Sequence, residues 1–260
     1  MNNRVAVIKI GTSLLTKEDG TIQLSFLANI CEEIADVQKS GWQIVLVSSG
    51  AMASGKGVLN KNAQSLEERP LLSTVGQPIM MGYYADFFRI QGINISQCLL
   101  TWRNFEVESE KKMLKYNLQK ILENNIIPIV NENDLIADEE LSGDNDTLAA
   151  KISVLLEAKK LIIFSDVDGI YKENPQINPH AEKISEVFNI DEEIKEILLY
   201  IGEKKSENSL GGMKSKIESA RLAVNGGVET TILKGVLGGG NTKKILIENK
   251  KVGTTFYAKK

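Results

Sequence analysis

Two lysines that lie beside glycines are the residues of this sequence best suited to bind phosphate. Lys9 interrupts an apolar run one residue before its end, and Gly11-Thr12-Ser13 follows it. A lysine there can extend over a strand end, while glycine lets backbone amides approach an anion closely. Lys216 ends a second glycine-containing segment at the predicted start of a helix, Leu210-Gly211-Gly212-Met213-Lys214-Ser215-Lys216. Helix N-termini attract phosphate, so both segments predict a phosphate site.

Two acidic and amide-rich segments could complement those lysines. They are Asn131-Glu132-Asn133-Asp134 and Gly143-Asp144-Asn145-Asp146. In the second, Asp146 or Asn145 is a natural helix N-cap, which contributes about 1 kcal/mol. A cap explains one of three consecutive Asp and Asn side chains. The remaining ones suit a site that holds an amine and orients lysines.

A nucleotide-binding P-loop is the competing interpretation. Gly50 to Gly57 follows a buried strand and nearly matches G-x-x-x-x-G-K-[ST], with Lys56 as its lysine. The last position is Gly57, which lacks the hydroxyl that would bind Mg²⁺. The sequence favours instead the end of a helix at Gly55-Lys56-Gly57.

The composition excludes several other chemistries. The chain has one histidine, His180, two cysteines, Cys31 and Cys98, and a net charge of -3. These counts exclude a His-rich metal centre, a Cys-based zinc site and a disulfide framework. The charge balance argues against a nucleic-acid partner. No apolar run approaches about 18 residues, so we expect no membrane span and a cytoplasmic, reducing location.

These residues must be positioned by an alternation of strands and helices. Apolar, β-branched runs predict strands at 5–10, 44–47, 93–100, 126–130, 161–164 and 230–233. Helical periodicity predicts helices at 24–35, 72–89, 111–123, 146–157 and 213–225, and 243–257 reads as an antiparallel hairpin. The pattern is typical of an α/β fold with a mainly parallel sheet. Polar segments at 11–13, 48–50, 131–134 and 165–169 then meet at one sheet edge, where ligands bind.

Six ordered motifs resemble the amino acid kinase family. They are Lys9-Ile10-Gly11-Thr12-Ser13, Val47-Ser48-Ser49-Gly50-Ala51, Val130-Asn131-Glu132-Asn133-Asp134, Gly143-Asp144-Asn145-Asp146, Ser165-Asp166-Val167-Asp168-Gly169-Ile170-Tyr171 and Gly211-Gly212-Met213-Lys214-Ser215-Lys216. The first and third most resemble the members that phosphorylate glutamate. Ser165 stands where such members often have threonine, and its hydroxyl is retained.

The resemblance implies a fold and a reaction. The fold would be an α/β three-layer αβα sandwich with a central, mainly parallel sheet, as a single domain over residues 1–260. An acceptor lobe would cover about 1–157 and a nucleotide lobe about 158–260. The reaction would be ATP-dependent phosphorylation of the L-glutamate side-chain carboxylate, with Mg²⁺, giving γ-glutamyl phosphate in the first step of proline biosynthesis. A homo-oligomer, dimer or tetramer, and feedback inhibition by proline are also implied, without the C-terminal PUA domain that many relatives carry.

The resemblance also assigns residues to roles. Lys9 and Lys216 would neutralise the transferring phosphoryl group, and Asp146 would hold both lysines in place. The nucleotide would contact Lys9, Gly11, Thr12, Ser13, Ser165, Asp166, Leu210, Gly211, Gly212, Met213, Lys214, Ser215 and Lys216. The acceptor would contact Ser49, Gly50, Asn131, Asp134, Asp144 and Asn145. No protein ligand for a metal is assigned.

Two alternatives stay open at this point. Another acceptor, such as acetylglutamate, aspartate, carbamate or a phosphate monoester, would use the same fold, and so would a non-catalytic nucleotide-binding regulator. Retention of both lysines disfavours the regulator. The free amine of glutamate needs nearby acids, which Asp134 and Asp144 can offer. A carboxylate acceptor is already ionised at neutral pH, because its pKa is about 4.3, so His180 is not needed as a base.

Overall fold

The computed structural model describes residues 4–60, 68–137, 144–173, 178–193, 197 and 207–258, with the backbone alone at 207–211. Its strands are β1 Val5–Ile10, β2 Gln43–Ser48, β3 Ile95–Leu100, β4 Ile127–Glu132, β5 Lys160–Ser165, β6 Ile170–Tyr171, β7 Lys183–Ile184, β8 Glu186–Val187, β9 Glu229–Lys234 and β10 Thr254–Phe256. Its helices are α1 Thr12–Leu15, α2 Leu24–Lys39, α3 Ala51–Leu59, α4 Arg69–Ile90, α5 Arg103–Glu106, α6 Glu108–Glu123, α7 Asn145–Leu155, α8 Glu207–Asn225 and α9 Asn241–Leu246.

One large sheet organises the molecule. Its strands lie in the order β3-β4-β2-β1-β5-β9-β10-β8, and β6 with β7 forms a separate ribbon. Neighbouring strands from β3 to β9 are parallel, while β10 runs antiparallel to β9. All six residues of β1 are buried, as expected for the central strand of a parallel sheet that is covered on both faces.

Helices cover both faces of the sheet and create two apolar cores. Successive strand side chains point to opposite faces, so Val5 and Val7 of β1 pack with α6, α7 and α8. Ala6 and Ile8 pack with α2, α4 and α9 on the other face. The three-layer αβα sandwich predicted from the resemblance is therefore confirmed.

The prediction of a C-terminal hairpin is wrong. Residues 241–246 form α9, and only Thr254–Phe256 is a strand, which pairs with β9. Thr242, Ile245 and Leu246 are buried, at the i, i+3 and i+4 spacing of one helix face. This face packs on α2, so tertiary burial selects helix where β-branched composition had indicated strand.

The start of α8 also differs from the prediction. The glycine pair at 211–212 was expected to precede a helix that begins at Met213, whereas the helix begins at Glu207. Lys216 consequently lies well inside α8 rather than in its first turn. The division into two lobes near residue 157 stays a prediction. In the described part of the chain, no helix is both long and apolar enough to cross a bilayer.

Candidate active site

The polar strand ends meet at one edge of the sheet, as predicted. β1 pairs in parallel with β2 and β5, and β2 pairs in parallel with β4. The residues that follow these four strands therefore emerge on the same side. This edge gathers the motifs at 11–13, 49–50, 133–134 and 166.

A buried ion triad lies at this edge. Asp146, at the start of α7, is 2% exposed, and its Oδ1 lies 2.5 Å from Lys9 Nζ. Its Oδ2 lies 3.1 Å from Lys216 Nζ, and that ammonium also donates to the Gly212 carbonyl at 3.3 Å. Lys9 shares the β1 face of Val5 and Val7, which α7 and α8 cover, so strand alternation brings it to Asp146. Two cations share one carboxylate, which leaves a net positive charge for an anion.

The N-cap of α7 is Asp144, so the prediction of Asp146 or Asn145 as the cap is wrong. Asp144 Oδ1 accepts from the Thr147 backbone amide at 2.8 Å. Its other carboxylate oxygen accepts a hydrogen bond from Ser215 Oγ of α8. Capping by Asp144 leaves Asp146 available for the lysines. It also occupies both oxygens of an acid that sequence reasoning had assigned to the acceptor.

Asn145 links the strand ends around the triad. Its Nδ2 lies within donating distance of the Ser48 carbonyl at 3.2 Å, Ser49 Oγ at 2.9 Å and Asn131 Oδ1 at 3.0 Å. Asn131 in turn donates to Gln77 Oε1 at 2.9 Å. Sequence reasoning missed Gln77, because a single polar residue within a helix carries no spacing signal. This network brings together three of the residues assigned to the acceptor.

A cavity of about 240 Å³ opens beside Asn131. Its walls come from the starts of α3 and α4 and the end of β4, and they include Gly50, Ala51, Met52, Arg69, Pro70, Ser73, Asn131, Glu132, Asp134 and Ala137. Gly50 has φ 96°, a left-handed conformation that glycine adopts without strain, and it turns the chain from β2 into α3. The cavity contains three residues of the predicted acceptor site, Gly50, Asn131 and Asp134.

The acids of this cavity are partly desolvated. Burial, followed by the charge of Asp134, raises the pKa of Glu132 to about 6. Trp102 Nε1 donates to Glu132 Oε1 at 3.0 Å and acts in the opposite direction. Burial also raises the pKa of Asp134, against a hydrogen bond with Ser73 that lowers it. Sequence reasoning did not assign Glu132 to the site, although it stands within a quoted motif.

The turn at Gly11-Thr12-Ser13 offers fewer backbone amides to an anion than predicted. The Gly11 amide donates to the Phe164 carbonyl at 3.2 Å, so the expectation that it is free for an anion is wrong. A Cβ at Gly11 would lie 3.3 Å from that same oxygen, a tight contact that glycine avoids. Thr12 and Ser13 are exposed at the start of α1, where no preceding helical carbonyl accepts their amides.

The other residues assigned to the nucleotide lie on β5 and α8. Ser165 is buried and donates to Asp166 Oδ1 at 3.0 Å, and Asp166 is exposed. Along α8, Gly212 and Lys214 are exposed, while Met213 and Ser215 are half-buried. The backbone of Leu210 and Gly211 also lies in α8.

The P-loop interpretation is excluded by the local structure. Residues 51–59 form α3, so the glycines lie in a helix rather than in a phosphate-binding loop. A Cβ at Gly55 would lie 1.9 Å from the Leu72 carbonyl, so this glycine permits close packing of α3 on α4. Lys56 donates to the Glu18 carbonyl at 3.2 Å.

The histidine and both cysteines lie outside this chemistry. His180 is exposed between β6 and β7, and its amide donates to Asn178 Oδ1 at 3.0 Å. Cys31 is buried in the α2 face of the core, and Cys98 is half-buried in β3. Burial raises the pKa of both thiols, which keeps them protonated.

Comparisons with known proteins identify the family of the chain and agree with its fold. A model of the amino acid kinase family matches residues 4–234. The glutamate 5-kinase of Carboxydothermus hydrogenoformans is 38% identical over 100% of this chain and 69% of that protein. The glutamate 5-kinase of Clostridium perfringens is 37% identical over 98% of this chain and 95% of that protein. A solved isopentenyl phosphate kinase has a TM-score of 0.66 at 20% identity, over 97% of this chain and 99% of that one, which shows the fold.

Proposed function

Because the chain belongs to the amino acid kinase family, we propose that it transfers the γ-phosphoryl group of ATP to the side-chain carboxylate of L-glutamate. The product would be γ-glutamyl phosphate, in the first step of proline biosynthesis. The observation that carries the proposal is the buried Lys9–Asp146–Lys216 triad, which lies next to the amide of Asn145 and close to a cavity with acidic walls.

The reaction needs charge neutralisation rather than a base. A carboxylate oxygen of glutamate attacks the γ-phosphorus, the bond to the β–γ bridging oxygen breaks, and ADP leaves with those electrons. No proton has to be removed, because a glutamate carboxyl with a pKa of about 4.3 is ionised at neutral pH. The obstacle is repulsion between the carboxylate and the triphosphate. Positioning and positive charge reduce this repulsion.

The triad supplies that charge. Lys9 and Lys216 hold ammonium groups 2.5 and 3.1 Å from the oxygens of Asp146, and Lys9 is 6% exposed. Fixed charges in a partly dry site stabilise developing negative charge more strongly than mobile water does. In this assignment both lysines contact the transferring phosphoryl group. Asp146 is a positioning residue, since it acts through the lysines.

Mg²⁺ fits this site as a companion of the nucleotide. Both oxygens of Asp146 face ammonium groups, and the described ranges contain no cluster of three or more His, Cys, Asp or Glu side chains that could hold a metal. Mg²⁺ is commonly bound through substrate phosphates and water. When bound there, it would neutralise part of the phosphate charge. Asp166 is an exposed carboxylate directly after β5.

The places of several residues along the sheet edge support a proposal for the two binding sites. For the acceptor we assign Ser49, Gly50, Asn131, Asp134 and Asn145, which the Asn145 network and the cavity connect. For ATP we assign Thr12 and Ser13, whose amides begin α1, with Ser165, Asp166 and the start of α8. We further propose a cytoplasmic homo-oligomer inhibited by proline. Sizing chromatography would test the oligomeric state, and proline titration against glutamate would test the inhibition.

Trapping of the acyl phosphate tests the reaction. With ATP, Mg²⁺ and L-glutamate, hydroxylamine should yield γ-glutamyl hydroxamate in step with ADP release, and Lys9→Ala should yield far less. Hydroxamate with acetylglutamate or aspartate but not with glutamate would reassign the acceptor. Absence of ADP release with every acceptor would favour a non-catalytic regulator.

A further inference from the structure

The cavity beside Asn131 presents charges of both signs. Arg69, in the first turn of α4, and Glu132 and Asp134, at the end of β4, all line its walls. A zwitterionic α-amino acid carries one group to match each sign. This chemistry concerns the end of the acceptor that does not react, and it rests on the function proposed above.

Arg69 is placed where a cation needs an anion. A positive charge in the first helical turn opposes the helix dipole. Arg89, on the same helix, pairs with Asp86 at 2.6 Å, whereas within the described residues Arg69 makes no ion pair or side-chain hydrogen bond. A guanidinium suits a carboxylate, which it can bind through two parallel hydrogen bonds.

Glu132 and Asp134, in contrast, lack a positively charged partner among the ion pairs of the described residues. The charge of Asp134 disfavours ionisation of Glu132, so the two carboxylates interact in a half-buried setting. Such a pair is costly unless a cation lies close to it. Trp102 fixes one oxygen of Glu132 at 3.0 Å. Asp144, the other acid that the sequence indicated for an amine, is occupied by Thr147 and Ser215.

We infer that Arg69 binds the α-carboxylate of the acceptor and that Glu132, together with Asp134, binds its α-ammonium group. Asn131 belongs both to the cavity wall and to the network of Asn145. An acceptor held in the cavity by its α end would therefore extend its side-chain carboxylate toward Asn145. Asp146 follows Asn145 directly on α7, and its carboxylate pairs with Lys9 of β1 and Lys216 of α8. The cavity selects acceptors in which both α groups are free.

Acceptor analogues that lack one group test the role of Arg69. 4-Aminobutyrate is glutamate without its α-carboxylate. Arg69→Gln should raise the KM for glutamate about 10- to 100-fold, the range of a lost charge-assisted hydrogen bond. It should leave kcat, the KM for ATP and the inhibition constant of 4-aminobutyrate nearly unchanged. Arg69→Lys should restore part of the glutamate affinity, and Arg89→Gln on the same helix is the matched control.

Glutarate, which is glutamate without its ammonium group, tests Glu132 in the same way. Glu132→Gln keeps an acceptor for Trp102 but removes the charge, so it should weaken glutamate binding about 10-fold or more. The inhibition constant of glutarate should stay the same or improve, because a repelling carboxylate is gone. Glu186→Gln, at a half-buried glutamate of β8 that pairs with Lys251, is the control.

The outcomes separate this inference from the proposed function. Equal loss of affinity for glutamate and for the truncated analogues would show a structural role for Arg69 or Glu132 and overturn the inference. Unchanged glutamate KM in both variants would also overturn it. Absence of hydroxamate from the wild-type protein would instead defeat the proposed function. Thermal unfolding of each variant, with and without glutamate, reports folding and binding independently of turnover.

Discussion

At the scale of single residues, the shared carboxylate of Asp146 explains how two lysines remain close together in a buried site. Each ammonium group meets one oxygen, and neither is left without a counter-charge. In the proposed reaction, the incoming phosphoryl group would add negative charge where the triad carries an excess of positive charge. The lysines are therefore fixed before ATP binds, so little reorganisation is needed during transfer.

Removal of either lysine should mainly affect the chemical step. We expect Lys9→Ala and Lys216→Ala each to lower kcat by about 100-fold or more, because a fixed charge on the phosphoryl group is lost. Steady-state kinetics with glutamate and ATP measures this. Lys56→Ala is the matched control and should retain near-normal turnover. Normal kcat in both active-site variants would refute the role of the triad.

Glu132 gives a stability prediction with a definite sign. Its pKa is raised from 4.5 to about 6 in the fold, so its contribution to stability is present below about pH 4.5 and lost as the pH rises through 6. Glu132→Gln should therefore raise the unfolding midpoint at pH 8 but not at pH 4.5. Since the group is half-buried and solvent screens part of the interaction, we expect an effect of about 1 kcal/mol.

Chemical denaturation of both proteins at the two pH values measures this difference. A variant that is less stable than wild type at pH 8 would contradict it. If Glu132→Gln is stabilising yet binds glutamate less tightly, the charge serves the acceptor at the expense of the fold.

His180 is a residue whose replacement should have no effect on turnover. His180 is exposed between β6 and β7, and the proposed reaction removes no proton. His180→Ala should leave kcat and its dependence on pH unchanged. Turnover measured from pH 6 to 9 would check this, and loss of an ionisation near the reference pKa of about 6.5 would contradict it.

At the scale of elements, close helix packing builds the cavity that we propose for the acceptor. Glycines let α3 approach α4, which brings Gly50 and Arg69 to the walls of one cavity. A Cβ at Gly76 of α4 would lie 1.8 Å from the Ala51 carbonyl, whereas one at Gly82 of the same helix would meet nothing within 4 Å. These two positions form a matched pair.

We expect opposite results from alanine at these positions. Gly76→Ala should destabilise the protein by about 1 to 3 kcal/mol, because the helices must separate. Gly82→Ala should stabilise it by about 0.5 to 1 kcal/mol, since alanine favours helix over glycine. Urea denaturation measures both changes. Equal effects at the two sites would show that packing between α3 and α4 is not tight.

At the scale of the whole molecule, one sheet runs through both predicted lobes. β1 pairs with β2 on one side and with β5 on the other, so the first strand joins the two halves directly. Asp144 and Asp146 of α7 add contacts to α8. The proposed acceptor and nucleotide residues of the two halves are therefore held in a common frame.

This continuity predicts that the halves unfold together. Far-UV circular dichroism and tryptophan fluorescence should report a single coincident urea transition, because separation of the halves would break the β1–β5 pairing and expose one edge of each strand. Trp42 and Trp102 lie in the first half, so their fluorescence follows that part. Two separated transitions would instead support lobes that are stable independently.

The sequence by itself determined the central strands, the main helices and the sheet edge where the polar motifs meet. Hydrophobic periodicity is local, and parallel pairing then places the strand ends on one side. Lys9, Asp146 and Lys216 were assigned through the ordered motifs. The structure adds that the carboxylate oxygens of Asp146 lie 2.5 Å from Lys9 Nζ and 3.1 Å from Lys216 Nζ.

Tertiary structure alone decided which residue caps α7, that residues 241–246 form a helix, and which side chains line the cavity beside Asn131. Asp144 rather than Asp146 caps α7, because both oxygens of Asp146 face lysines from distant parts of the chain. Residues 241–246 are helical, because that conformation buries one apolar face against α2. Arg69 and Glu132 line the same cavity only once α4 packs beside β4. Such choices depend on partners that a local pattern does not contain, since burial and ion pairing are set by non-local packing.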